Sequence, residues 1–143
     1  QQTHKSNTDN LKNIYDEAEI ENIIFDFEEN LVDWISQSDL CITRAGASTL
    51  AELSIMNKPF LTIPLVSAKD NHQFENANFY QNLGCCWIMS QKDFNDVNLE
   101  KFLNHIIMNK SEYNVKKNNL EKHNFQNSWN DINQKILETI NEN

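Results

Sequence analysis

Thr43-Arg44-Ala45-Gly46-Ala47-Ser48-Thr49-Leu50-Ala51-Glu52-Leu53 follows the apolar run Leu40-Cys41-Ile42 and passes within a few residues into a pattern of helical period. It holds the only arginine of the chain and one of its two glycines. A short apolar run with no polar alternation reads as a strand buried on both faces, and a helix directly after it makes the pair one half of a βα unit. This reading sets the fold class, because the same alternation recurs on either side.

The other strand candidates are Ile23-Ile24-Phe25, Phe60-Leu61-Thr62-Ile63 and Cys85-Cys86-Trp87-Ile88-Met89. Helical period is expected near residues 8–18, 29–37, 49–57 and 72–82, and then without further strands over 93–107, 111–122 and 127–141. Alternating strands and helices predict an α/β fold, a Rossmann-like doubly wound parallel sheet with helices on its faces. At 143 residues the chain is one domain, 1–143, whose part 93–143 is all helical. Its polar Gln1-Gln2-Thr3 start, without methionine, reads as the end of a strand cut from something longer, hence an N-terminally truncated domain.

In doubly wound sheets, ligands bind where strand C-terminal ends meet helix N-termini. The quoted segment lies at such a junction. Gly46 can adopt positive φ or admit ligand oxygens close to the backbone, and the free N–H groups of the first helical turn then face an anion, aided by about half a positive charge from the helix dipole. Arg44 adds a permanent charge. The same residues also fit a plainer arrangement, in which Thr49 and Glu52 form a capping box and Gly46 only turns the chain. A second junction is Ser67-Ala68-Lys69-Asp70-Asn71-His72-Gln73-Phe74-Glu75-Asn76-Ala77, where Asp70 or Asn71 can cap a helix and expose His72 and Gln73 in its first turn. There too a loop with surface amides is the simpler alternative.

Several chemistries are disfavoured. A net charge of −9 with a single arginine offers no clustered positive charge for nucleic acid. Cys41, Cys85 and Cys86 are odd in number, lie in apolar runs and lack metal-ligand spacing, so they read as buried reduced thiols, and no metal is expected. No Ser-His-Asp or Cys-His signature surrounds His4, His72, His105 or His123. In Asp26-Phe27-Glu28-Glu29-Asn30 the acidic residues at 28 and 29 suit the first turn of a helix better than a catalytic pair. No apolar run approaches the roughly 20 residues that span a bilayer, and no signal core opens the chain. Trp129, Ile132, Ile136, Leu137 and Ile140 give the last helix an apolar face suited to packing on the domain.

Arg44-Ala45-Gly46-Ala47-Ser48-Thr49-Leu50-Ala51-Glu52, then Lys58-Pro59 and Ile63-Pro64, then Asp70-Asn71-His72-Gln73 with Asn76-Ala77 together resemble the C-terminal half of glycosyltransferase family 28. The likeness is weaker outside these about forty residues and fades after about residue 90. It implies the donor-binding half of a GT-B enzyme that transfers N-acetylglucosamine, with inversion, from UDP-N-acetylglucosamine to a lipid-linked MurNAc-pentapeptide in peptidoglycan synthesis. The acceptor base, the acceptor domain and the glycine-rich segment that the family carries upstream would precede Gln1, so this piece alone is expected to be inactive. Carried over by residue, the resemblance puts the diphosphate on the backbone of Ala47, Ser48 and Thr49, with Arg44 and Gly46 shaping the turn. Glu52 would accept from the ribose hydroxyls, His72 and Gln73 would face the donor sugar, and Asn76 counts among the substrate-binding residues. Uracil would lie at the backbone of Phe27 and Glu28, where the acidic residue departs from the family's apolar preference. No cofactor is implied. The implied location is peripheral, at the cytoplasmic face of the bacterial inner membrane. Two alternatives remain compatible: a related GT-B enzyme with another acceptor, and a non-catalytic UDP-sugar-binding subunit paired with a membrane partner.

Overall fold

The computed structural model describes residues 1–67, 71–124 and 137–138. The expected helix 127–141 lies outside the described residues except for Leu137 and Glu138, which are helical. The chain divides into two compact units, Gln1–Trp34 and Ile35–Asn143.

In the first unit, a 3-10 turn at Lys5–Asn7 leads into α1 (Thr8–Glu17), and α2 (Leu31–Gln37) begins near its end. α1 closes with Glu19 at φ 55°, where Glu19 N–H donates to Asp16 O and Ile20 N–H to Tyr15 O. That pair of bonds is a Schellman motif, which satisfies carbonyls that the last turn would leave open. The expected strand at Ile23–Phe25 is reduced to one parallel bridge, Gln2 with Phe25, made by Thr3 N–H to Phe25 O at 2.9 Å and Phe25 N–H to Gln1 O at 3.1 Å. Ile23 is half exposed. Apolar content alone does not extend a ladder, because each further residue needs its own backbone partner.

The second unit is built on three parallel strands, β1 (Cys41–Thr43), β2 (Phe60–Thr62) and β3 (Cys86–Ile88), in that order across the sheet. Cys41, Phe60 and Cys86 stand in register, as do Ile42, Leu61 and Trp87, and then Thr43, Thr62 and Ile88. The strands follow from the uninterrupted apolar runs, and every residue of the central strand β2 is buried. Between them run α3 (Ala47–Ile55) and α4 (His72–Asn82), followed by α5 (Asp96–Met108) and α6 (Lys110–Asn124).

Packing uses both faces. Phe60 meets Tyr80 of α4 edge-on at 5.5 Å, and the Cys86 thiol points to Ala77 O of α4. Trp87, alternating to the opposite face, meets Phe102 of α5 edge-on at 5.5 Å, donates to Glu112 of α6 at 2.6 Å and lies under the Lys116 ammonium at 4.9 Å. α3 buries Leu50 and Leu53 and packs against α6, whose Leu120 is also fully buried. Cys85 and Cys86 are buried free thiols, and burial pushes their pKa values up to about 11 and about 12. Cys41 is only half buried, a departure from the expectation for all three.

The two edges of this sheet differ. On the N-terminal edge, α3 and α4 each return to a strand through a Schellman motif, with Asn57 (φ 53°) and Gly84 (φ 70°) left-handed. Lys58 N–H reaches Leu53 O, and Cys85 N–H reaches Tyr80 O, both at 2.9 Å. Those returns are short and mostly backbone-satisfied. The C-terminal edge carries the short turn 44–46 and the two longest connections of the second unit, 63–71 and 89–95.

Candidate functional site at the C-terminal edge of the sheet

The first junction differs from the capping-box expectation. α3 starts at Ala47, two residues before the expected start, and its N-cap is Gly46. Thr49 therefore lies inside the first turn, and Glu52 does not reach back to cap it. Gly46 has φ −69° and ψ 134°, ordinary extended backbone, so positive φ is not the reason for glycine here. An added Cβ would meet nothing nearer than Thr49 Oγ1 at 3.9 Å. The space beside Gly46 is open. With no side chain at the cap, the N–H groups of Ala47, Ser48 and Thr49 have no acceptor from the cap, and helix geometry gives them no carbonyl four residues back.

Arg44 and Asn76 tie this turn to the loop after β2 and to α4, and Gln73 ties α4 to the same loop. The Arg44 guanidinium donates through Nη1 to Ile63 O at 2.9 Å. Asn76 Nδ2, on α4, donates to Ala45 O at 3.0 Å, and Ala45 is fully buried. Gln73 Oε1, one turn earlier on the same helix, accepts from Leu65 N–H at 2.9 Å. An arginine with several donors in a fixed plane and amides that satisfy buried backbone make these ties more rigid than a loop of nine residues would otherwise be. Gln73 and Asn76 thus support the two loops, in addition to whatever contact Gln73 makes with a donor sugar.

Glu52 stands exposed on the second turn of α3, and its carboxylate has no partner among the described residues. His72 is exposed in the first turn of α4. Asp70 lies outside the described residues. Asn71 occupies the N-cap position of α4 at φ 55°, and its side chain does not cap the helix. Phe27 and Glu28 belong to the first unit: Phe27 is 72% exposed, and Glu28 Oε1 accepts from Asn30 N–H at 3.0 Å. The second unit therefore brings Arg44, Gly46, Ala47, Ser48, Thr49, Gln73 and Asn76 into one framework. Among the described residues, no group of three or more His, Cys, Asp or Glu side chains stands close enough to hold a metal ion.

Sequence reasoning did not single out Phe74 and Gln91, which with Asn71 line a cavity next to this framework. The available signal was Phe74 itself, an aromatic residue set between Gln73 and Asn76 in an exposed first turn.

The profile described as "Glycosyltransferase family 28 C-terminal domain" matches residues 1–136. A UDP-N-acetylglucosamine--N-acetylmuramyl-(pentapeptide) pyrophosphoryl-undecaprenol N-acetylglucosamine transferase of Pelagibacter ubique is 50% identical over 143 residues, 100% of this chain and 40% of that protein. The protein of the same name from Rickettsia bellii is 38% identical over 113 residues, 78% of this chain and 32% of its own length. The crystal structure of Acinetobacter baumannii MurG superposes with a TM-score of 0.72 at 26% identity, over 85% of this chain and 35% of that one. This chain spans 40% or less of the length of these relatives. The Rossmann-like α/β arrangement is the one that MurG contains. With the family profile matching nearly the whole chain and a relative identical at half of its positions, the chain belongs to glycosyltransferase family 28, in its C-terminal domain.

Proposed function

We propose that this chain binds the donor, UDP-N-acetylglucosamine, within an inverting transferase that delivers N-acetylglucosamine to an undecaprenol-linked N-acetylmuramyl acceptor. The observation that carries the reading is the start of α3: an exposed helix N-terminus capped by a glycine, with open space where a side chain would stand, held in place by Arg44 and Asn76. Such a terminus accepts a diphosphate through the N–H groups of Ala47, Ser48 and Thr49. As the sugar leaves, negative charge grows on the UDP diphosphate, and donors already oriented stabilise it without reorganising. Arg44, already engaged with Ile63 O, supplies positive charge at the turn and keeps the turn fixed. The uncommitted Glu52 carboxylate suits two ribose hydroxyls, because an ionised carboxylate only accepts and each hydroxyl can donate.

The names of the relatives supply the donor and the acceptor, and the fold match supplies the setting. An acceptor carried on undecaprenol brings the reaction to a membrane surface, and we assign the protein a peripheral position on its cytoplasmic face. Among the described residues, no helix is long and apolar enough to cross a membrane.

Calorimetric titration of the chain with UDP-N-acetylglucosamine, UDP-N-acetylgalactosamine, UDP and GDP tests the reading. Heat from the UDP compounds and none from GDP is the expected result. A folded chain that binds none of the four, or binds GDP equally well, overturns it.

A further inference from the structure

A cavity of about 150 Å³ opens where β2 and β3 end, one strand across from the α3 junction. Pro64, Leu65, Val66, Phe74 and Ile88 give it an apolar lining. An apolar cavity of about this volume accommodates one six-membered ring. Asn71, Ser90 and Gln91 also line it, and among the described residues no Lys, Arg, Asp or Glu does, a lining that suits a neutral ring.

The polar lining is available for a ligand. The Asn71 amide does not cap α4 and has no other partner among the described residues, although its backbone is held at φ 55°. Gln91 uses Oε1 on Val66 N–H in a long bond of 3.4 Å, and its Nε2 has no partner among the described residues. Ser90 donates its proton to Asp93, which leaves the hydroxyl oxygen as an acceptor. Phe74, 41% exposed, presents an aromatic ring beside these groups. A plain hydrocarbon would use the apolar lining and leave the amides idle. A pyranose uses both: its C–H groups pack on the negative face of an aromatic ring, and its hydroxyls pair with amides.

The cavity shares its loop with the proposed donor site. Ile63 O is held by Arg44, Leu65 N–H by Gln73, and Phe74 follows Gln73 in the same helical turn. We propose that this cavity is a subsite for a second, neutral pyranose ring, one not carried by the nucleotide, seated beside the donor sugar on the acceptor side. The assignment rests on the donor reading above for its place in the reaction, while binding of the ring can be read separately.

The test is two-dimensional NMR of the full chain, labelled at Ile, Leu and Val methyl groups and at backbone amides, titrated with methyl N-acetyl-β-glucosaminide and, separately, with UDP. The pyranoside is expected to shift the methyl signals of Leu65, Val66 and Ile88, and UDP those of the Ala47–Thr49 amides. Phe74→Leu keeps the apolar bulk and removes the π face, and should weaken pyranoside binding about fivefold. Gln91→Ala, at an exposed rim position, gives a second variant with little bearing on folding and should weaken it too. Pyranoside shifts confined to the α3 junction, equal binding by both variants and parent, or binding of benzyl alcohol without the pyranoside would overturn the proposal. UDP shifts at α3 without pyranoside shifts at the cavity sink this inference alone, whereas pyranoside shifts without UDP binding sustain the cavity and sink the donor reading.

Discussion

Gly46 has ordinary extended backbone, and a methyl group at its α-carbon would contact only Thr49 Oγ1 at 3.9 Å. The backbone conformation therefore makes no demand for glycine there, and the proposed approach of a diphosphate would supply one. Gly46→Ala is expected to lower the unfolding free energy by about 0.5–1 kcal/mol, because alanine is a poorer N-cap than glycine. The same change should lower UDP affinity at least about tenfold, since each ~1.4 kcal/mol of lost phosphate contact is one decade. Thermal unfolding and calorimetry on one preparation read both quantities, and unaltered UDP binding would remove the diphosphate from this turn. Glu52 allows a similar separation. A capping box would make Glu52→Ala costly to α3, but the helix starts at Ala47 with Gly46 as its cap, so stability should hold. A carboxylate that accepts from two ribose hydroxyls contributes about 1.5–3 kcal/mol, so uridine affinity should fall about ten- to a hundredfold. Equal binding of uridine and 2′,3′-dideoxyuridine by the parent chain would refute that role.

Among the elements, helix ends were harder to read from sequence than helix interiors. α4 matches its expected span of 72–82 because its start follows a polar loop and its end is marked by Gly84, one residue past the C-cap. α3 begins two residues early because Ala47 and Ser48 are unremarkable in a helix and Thr49 advertised a cap that Gly46 provides by conformation alone. The three strands were legible as apolar runs, yet Ile23-Ile24-Phe25, equally apolar, makes one bridge, because pairing depends on a neighbour that the run itself does not name. The junction of β1 with α3 was legible from residue type and spacing, whereas the tying roles of Gln73 and Asn76 required knowing which loop each faces. The three Schellman turns carry testable energetics. Gly84 sits at φ 70°, and a Cβ there would approach Asn119 Nδ2 to 2.7 Å. Gly84→Ala should destabilise by about 1–2 kcal/mol, the cost of left-handed backbone for a residue with Cβ, with part of the clash relieved by rotation of Asn119. Glu19 occupies the equivalent place after α1 at φ 55°, so Glu19→Gly should stabilise by up to ~1 kcal/mol, less the added entropy of an unfolded glycine. Chemical denaturation of both variants gives the two signs, and the same sign for both would contradict the turn assignment.

For the second unit as a whole, Glu112 is the point where β3, α5 and α6 meet. Its carboxylate accepts from Trp87 Nε1 at 2.6 Å and pairs with His105 Nε2 at 2.7 Å. The hydrogen bond from Trp87, and then the one from His105, hold its carboxyl below the ordinary value of 4.5. A carboxyl depressed in the folded state binds its proton more readily in the unfolded chain. Its contribution is therefore complete above the unfolded value and is lost as pH falls through the folded one. The urea midpoint should decline as pH falls below the ordinary glutamate value, and the share due to this residue should vanish in Glu112→Gln, which keeps an acceptor for Trp87 while removing the titration. At neutral pH the variant gives up the charge-assisted bonds and should be less stable than the parent, by an amount kept small by the partial exposure of the pair. The two stability curves should then converge on acidification, because the parent loses at low pH what the variant lacks at every pH. Parallel curves would mean that the carboxylate has the same proton affinity folded and unfolded, and that the junction of β3 with α5 and α6 is held by Trp87, Phe102 and Leu120 packing alone.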